Sequence, residues 1–173
     1  MKKFNIILTA TILGTLVACG GQGEEKAAQG STEVTSQKTQ KAPAENVYNA
    51  GNLVISNVRT VASKAGQMSV VYLNVENKGS EPDTLYAAVA DTSAVAETQL
   101  HTYVLEGGKG KMVHVENIPV PAGGTLELKP GGYHIMLMGL KKDINVGDTV
   151  KVVLKFRKAG DVVVKAVAQE KKQ

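Results

Sequence analysis

The sequence predicts an all-β domain of the sandwich or Greek-key barrel type, and three observations support this fold class. Short runs of β-branched or alternating apolar residues recur through most of the chain after the first third. Glycine-rich turn sequences separate these runs at regular intervals, as they do in sandwiches and barrels. No part of this region has the sustained apolar period of an amphipathic helix.

The predicted strands follow one another closely, and turn signals separate most of them. In order, they are 53–60, 68–76, 84–90, 98–104, 111–116, 125–129, 133–138, 149–157 and 162–168. The turn sequences between them are NKGSEPD, EGGKG, PAGG, KPGG, NVGD and KAGD, which contain the residue types that favour turns. These strands form one predicted domain, 47–169, which has enough chain to bury a core, followed by a short polar tail, 170–173.

The N-terminus has the organisation of a bacterial lipoprotein signal. Lys2 and Lys3 precede an apolar run, and that run ends in Leu-Val-Ala-Cys at Cys19. This ending resembles a lipobox, which implies that residues 1–18 are a signal peptide and that Cys19 is lipidated. An ordinary signal peptide with a chance cysteine, or a short buried helix, are the alternatives.

The lipobox predicts a membrane-anchored lipoprotein outside the cytoplasm. Residues 19–46 would then be the lipidated cysteine and a flexible linker, because their Gly, Gln, Ser, Thr, Lys and Glu composition cannot bury a core. Gly20 after the cysteine favours the outer membrane in a Gram-negative cell, although the sequence leaves open whether the cell has one. The lipid would consume the single cysteine of the chain, so neither a disulfide nor a thiolate metal site is expected.

The charge of the chain gives no indication of nucleic-acid binding. The 20 basic residues include Lys2 and Lys3, which are removed with the signal peptide, leaving 18 against 16 acidic residues. A formal charge near +2, spread over the surface, is too weak to predict a phosphate-binding face. Solvated lysines are the simpler interpretation, and no nucleic-acid partner is expected.

Histidine and methionine side chains are the residues that carry chemistry in the predicted domain. Along the strand 133–138, His134, Met136 and Met138 fall on one face, opposite the apolar residues that enter the core. Imidazole and thioether are borderline and soft ligands, and the thioether in particular suits Cu(I). Two such ligands at i and i+2 provide half of a four-ligand copper site.

A hairpin around the sequence EGGKG supplies the other half. It would bring His101 on the first strand near Met112 on the second, and His114 shares a face with Met112. We expect the site to be shallow and to lie at the surface or rim of the domain. Met138 and His114 are possible additional metal ligands, whereas Met68 is expected to pack in the core.

These residues follow the spacing His101-x10-Met112-x21-His134-x-Met136. The spacing resembles the signature of the periplasmic copper chaperones of the PCu(A)C type. The segment PAGGTLELKPGGYHIMLMGL is also similar to the turns and strand of that family. The resemblance covers about 53–167, and 117–140 is its most specific part. It implies a cupredoxin-like fold that binds one Cu(I) through His101, Met112, His134 and Met136.

The resemblance further implies a metallochaperone for cytochrome c oxidase assembly. Its partner would be a copper-accepting oxidase subunit or another copper chaperone, and we expect it to act as a monomer. Copper scavenging or buffering uses the same site chemistry and remains an alternative. The second alternative is a structural β-sandwich with an incidental His/Met patch.

The sequence does not predict an enzyme. Electron-transfer cupredoxins use a thiolate in a His₂Cys site, and Cys19 lies outside the predicted domain. Acidic residues are not clustered with the histidines in sequence, and there is no nucleophile motif.

Overall fold

The computed structural model describes residues 46–171, and all of its regular structure is β. The predicted signal peptide, Cys19 and almost all of the predicted linker lie outside the described residues. The eleven strands are β1 Tyr48–Ala50, β2 Leu53–Val61, β3 Ser69–Asn77, β4 Asp83–Ala90, β5 Val95–Glu106, β6 Lys109–His114, β7 Ile118–Val120, β8 Thr125–Leu128, β9 His134–Leu140, β10 Thr149–Phe156 and β11 Gly160–Gln169. Within 46–171 there is no helix long and apolar enough to cross a membrane.

The strands are ordered β6-β5-β9-β3-β2-β11-β10-β4-β7, with β1 added beside β2 and β8 beside β3. β2 and β11 run parallel, and the other pairs are antiparallel. β4 also contacts β5, and β7 contacts β3 and β8, so the two ends of the order fold toward each other around a shared core. The predicted all-β fold is therefore confirmed.

Alternation along the strands explains which side chains form the core. On β3, Val71, Leu73 and Val75 are fully buried, and on β9 Ile135 and Leu137 are fully buried beside them. Full burial of each such side chain contributes about 1.5–3 kcal/mol relative to exposure. The core therefore fixes the orientation of β3 and β9, and it leaves their alternate positions for the opposite face of the sheet.

A bulge in β2 interrupts this alternation. Asn57 has a positive φ of 54°, and the register with β3 shifts between Ser56 and Arg59. Asparagine tolerates the left-handed region better than most residues. The shift brings Val58 and Thr60 into the interior in place of Asn57.

Two short strands are absent from the sequence prediction. They are β1 and β7, each of three residues. Segments this short do not show a clear alternation, and their strand conformation comes from pairing with β2 and β4. The longer predicted strands all appear in the structure, with ends that differ by up to three residues.

Candidate metal centre

The three histidines of the chain lie side by side across three adjacent strands. His101 on β5 is the register partner of both His134 on β9 and His114 on β6. The ring centroids of His101 and His134 are 5.8 Å apart, and those of His101 and His114 are 6.0 Å apart. The sheet therefore gathers histidines that are distant in sequence into one row.

The turn before β9 fixes the tautomer of His134. The Gly132 amide donates a 3.1 Å hydrogen bond to the Lys129 carbonyl, and Gly131 has a positive φ of 76°, which makes Lys129–Pro130–Gly131–Gly132 a type II turn. The Gly132 carbonyl then lies 3.0 Å from Nδ1 of His134. Because a carbonyl only accepts, Nδ1 carries the proton and Nε2 keeps its lone pair.

A relay of side chains on β5 fixes the tautomer of His101. The Gln99 amide nitrogen lies 2.6 Å from the Glu97 carboxylate, so the Gln99 oxygen faces His101 and lies 2.9 Å from its Nε2. Nε2 of His101 therefore donates, and Nδ1 keeps the lone pair. Ligating histidines commonly have their second nitrogen held in this way by a carbonyl or carboxylate group.

Both free imidazole nitrogens are buried and have no hydrogen-bond partner among the described residues: Nδ1 of His101 and Nε2 of His134. Buried polar atoms are normally paired, so two unpaired acceptors on neighbouring rings need an explanation. An imidazole–metal bond of about 2 Å puts the ion roughly 3 Å from the ring centre, so rings 5.8 Å apart lie within range of one ion. The donor set fits a shared metal ion.

The surroundings of His101 favour the neutral, ligating form of its ring. Burial lowers the pKa of His101, and the neighbouring rings of His134 and His114 lower it further. Only a neutral imidazole has a lone pair for a metal, so a lowered pKa reduces the competition from protons.

Met136 and Met112 both line a cleft of about 570 Å³. Met136 is 7% exposed and follows His134 on the same face of β9, with Gln99 opposite it. Met112 is 54% exposed on β6, which forms one end of the strand order. Both line the cleft, together with Met68, Tyr72 and Pro130. The cleft thus extends from the buried Met136 to the exposed Met112.

The predicted β5–β6 hairpin is present, but its register places His114, and not Met112, directly opposite His101. Gly107 and Gly108 both have positive φ and form the two-residue turn between Glu106 and Lys109, as in a type I′ hairpin. Directly opposite His101 is His114, whereas Met112 is opposite Tyr103. Met112 is therefore a diagonal neighbour of His101, at a distance that a long side chain can span.

The two possible additional ligands occupy different places. His114 is exposed and lies on the far side of His101 from His134. Met138 is partly buried and lies opposite Glu97, beyond Met136 as seen from the histidines. Both share the face of the four predicted ligands, and their participation stays a prediction.

Two expectations about burial were wrong. The base of the site is not shallow, because His134 and Met136 are only 3% and 7% exposed. Met68 does not pack in the core, because it is 61% exposed and lines the cleft. The alternation of β3 gives the reason: Ser69, Val71 and Leu73 occupy the inward positions, so Met68 falls on the outward face.

Three residues that hold the histidines were not singled out from the sequence: Glu97, Gln99 and Gly132. The period of two along β5 places Glu97 and Gln99 on the face of His101, and this signal could have found them. Within residues 46–171, no three side chains drawn from His, Cys, Asp and Glu are grouped to hold a metal ion.

The fold and the site together define a cupredoxin-like β domain with a His/Met face. A family model described as "Putative lipoprotein LpqE-like" matches residues 53–168, and the chain belongs to this family. The chain is also similar to "Putative lipoprotein Lxx21020" of Leifsonia xyli subsp. xyli (strain CTCB07), with 37% identity over 108 residues. That match covers 62% of this chain and 63% of the relative.

Solved structures of similar fold include copper-protein domains. The apo PCuAC domain from PmoF1 is 25% identical, with a TM-score of 0.62, and the match covers 72% of this chain and 99% of that one. The solution structure of CuI-DR1885 from Deinococcus radiodurans is 30% identical, with a TM-score of 0.50, over 68% of this chain and 81% of that one. The predicted cupredoxin-like fold and the resemblance to the PCu(A)C type are thus confirmed.

Proposed function

We propose that this protein is an extracytoplasmic metallochaperone that binds one Cu(I) through His101, Met112, His134 and Met136 and passes it to an acceptor. The observation that carries the proposal is a pair of buried nitrogens, one on His101 and one on His134, that find no hydrogen-bond partner within residues 46–171. Each ring is held by its other nitrogen so that the free lone pair stays available.

The methionines give the site its preference for copper. Thioether sulfur is a soft ligand that suits Cu(I) and does not titrate. Two imidazoles and two thioethers carry no charge, so the bound ion keeps its positive charge and is not locked in by thiolates. The name of the CuI-DR1885 structure, which is 30% identical to this chain, supports the same metal.

The position of Met112 supports transfer of the ion and not permanent storage. Met112 is half exposed at the cleft, whereas His134 and Met136 are buried. An incoming ligand from an acceptor can therefore replace Met112 first, while the buried pair still holds the ion. We propose that the acceptor is a copper-binding oxidase subunit, in the direction of cytochrome c oxidase assembly, or another copper chaperone.

We further propose that lipidation at Cys19 anchors the protein outside the cytoplasm and that the segment up to residue 46 tethers the domain. Membership of a family described as lipoproteins supports the anchor. A tether of this length would allow the domain to reach acceptors away from the membrane surface.

The copper claim is tested by Cu(I) titration of the full chain in mild detergent, in competition with a chromophoric Cu(I) chelator. We expect one tight equivalent, weakened at least about 100-fold by His134→Ala or Met136→Ala, because each removes a buried ligand of the ion. Asn145→Ala, in the loop before β10, is a control that should leave the affinity unchanged. Equal affinity of the wild-type protein and both ligand variants would refute the assignment.

Transfer is a separate question from binding. The Cu(I)-loaded protein is mixed with an apo oxidase copper domain, and the metal content of each is measured after separation. A chaperone delivers its copper within minutes, whereas a buffering protein of the same affinity retains it or releases it only through free ion.

A further inference from the structure

We propose that Met68 is an outer Cu(I) ligand, through which the ion leaves the four-residue site for the cleft. This inference rests on the proposed copper function and deepens it. Met68 would exchange with Met136 or share the ion with it during transfer, and it would not belong to the resting ligand set. The step is a ligand exchange, in which one Cu–S bond forms as another breaks, with no change of oxidation state.

The methionines of the domain are distributed in an unusual way. Of the five methionines in the chain, Met1 lies in the predicted signal peptide, and the other four lie in the described domain. Three of these four, Met68, Met112 and Met136, line one cleft, and Met138 follows Met136 on the same face. A methionine that served only as apolar filler would lie in the core, where Ile, Leu and Val are found instead.

The β3–β9 register, continued by one residue beyond the Ser69–Leu137 pair, places Met68 opposite Met138 and diagonal to Met136. Val70 on β3 is the partner of Met136 on β9, and Met68 stands two residues before Val70 on the same face. Diagonal neighbours of this kind are about 7–8 Å apart at their backbones, which two methionine side chains can span. Met68 thus offers a thioether one step further from the histidines than Met136.

The backbone around Met68 is held firmly on both sides. Before it, the Gly66 amide donates to the Leu140 carbonyl at 2.7 Å, and the Leu140 amide donates to the Gln67 carbonyl at 3.1 Å. After it, the Ser69 hydroxyl donates to the Val61 carbonyl at 2.6 Å. The backbone position of Met68 against β9 is therefore set by the fold.

The difference in solvent exposure between Met136 and Met68 indicates the direction in which a Cu(I) ion would leave the site. Met136 is 7% exposed, and Met68 is 61% exposed in the same cleft. A Cu(I) ion that moves from Met136 to Met68 passes from a buried position to one that an acceptor can reach. Other large apolar side chains are also exposed, so what distinguishes Met68 is its thioether in the cleft that Met112 and Met136 also line.

The first measurement is the rate at which Cu(I) passes from the loaded full-length protein to an excess of chelator. Met68→Leu keeps an apolar side chain of similar volume but removes the sulfur. We expect the variant to release Cu(I) about tenfold more slowly, as for the loss of one weak ligand in the transition state, with its equilibrium affinity within about twofold of the wild type. Val89→Leu, an exposed apolar position on β4, is the matched control. An unchanged release rate in Met68→Leu would overturn the inference.

The second measurement follows the ¹³C-labelled methionine methyl groups by NMR as Cu(I) is added. We expect large shifts for Met112 and Met136 at one equivalent, together with broadening of Met68 from exchange. Shifts of Met112 and Met136 with an unaffected Met68 would refute this inference and leave the proposed function intact. If none of the three responds, the copper site itself is wrong.

Discussion

At the scale of residues, the site depends on which nitrogen each histidine leaves free. In His134, Nδ1 donates a hydrogen bond to the Gly132 carbonyl, so Nε2 has the free lone pair. In His101, Nε2 donates to the Gln99 side-chain oxygen, so Nδ1 has the free lone pair. The two neighbouring rings therefore leave different nitrogens free, Nδ1 on His101 and Nε2 on His134, and each choice is made by a residue outside the proposed ligand set.

Gln99 gives a direct test of this arrangement. Gln99→Leu removes the acceptor for Nε2 of His101, so the ring can rotate or change tautomer, and we expect Cu(I) affinity to fall about tenfold, the lower end of the usual cost of losing such a partner. The measurement is the competition titration described above. Gln67→Leu, a glutamine on the turn before β3, is the matched control. Unchanged affinity in Gln99→Leu would show that the relay does not orient the ligand.

At the scale of elements, the β5–β6 hairpin carries Met112 and is the least buried part of the site. Every residue of β6 is exposed except the half-buried Val113. The ring of Tyr103 lies against Gly110, and a side chain there would overlap with the Tyr103 hydroxyl. The glycine thus allows Tyr103, the register partner of Met112, to lie flat across the hairpin.

Gly110→Ala tests the role of this contact. The added methyl group must displace Tyr103, so we expect Met112 to move and Cu(I) affinity to fall several-fold, with little change in the unfolding temperature because the hairpin is outside the core. Affinity and thermal unfolding are measured on the same samples. The double variant Gly110→Ala/Tyr103→Ala removes the overlap and should recover most of the affinity. A recovery no better than the single variant would argue that the two residues are not coupled.

Most of the strands could be predicted from the sequence, but the burial of the side chains on their second face could not. Alternation on β9 correctly separates Ile135 and Leu137 from His134 and Met136. It does not reveal that His134 and Met136 are buried as well, because the burial of this second face depends on tertiary packing around β9. The expected burial of Met68 is wrong for a related reason: an apolar side chain predicts the core, whereas the alternation of β3 places Met68 on the opposite face.

At the scale of the whole molecule, the proposed ligands come from three strands, β5, β6 and β9, so binding joins parts of the sheet that are distant in sequence. A ligand that binds only the folded state stabilises it by mass action. The site is assembled by the fold and has no counterpart in the unfolded chain, apart from the nearby pair His134 and Met136.

Copper should therefore raise the unfolding temperature of the domain. At a free Cu(I) concentration of 100 times the dissociation constant, the stabilisation is about 2.7 kcal/mol, or roughly 10 °C for a domain of this size. Thermal unfolding of the full chain, followed by circular dichroism under anaerobic conditions, measures this shift. His134→Ala should lose most of it. An equal shift in that variant would indicate binding elsewhere on the chain.

X-ray absorption spectroscopy of the protein with one equivalent of Cu(I) measures the proposed ligand set itself. We expect two sulfur and two nitrogen scatterers in the first shell, with imidazole outer-shell scattering. We also expect Met112→Leu to lose one sulfur and His101→Ala to lose one nitrogen. A first shell of nitrogen and oxygen alone, or one that neither variant changes, would contradict it.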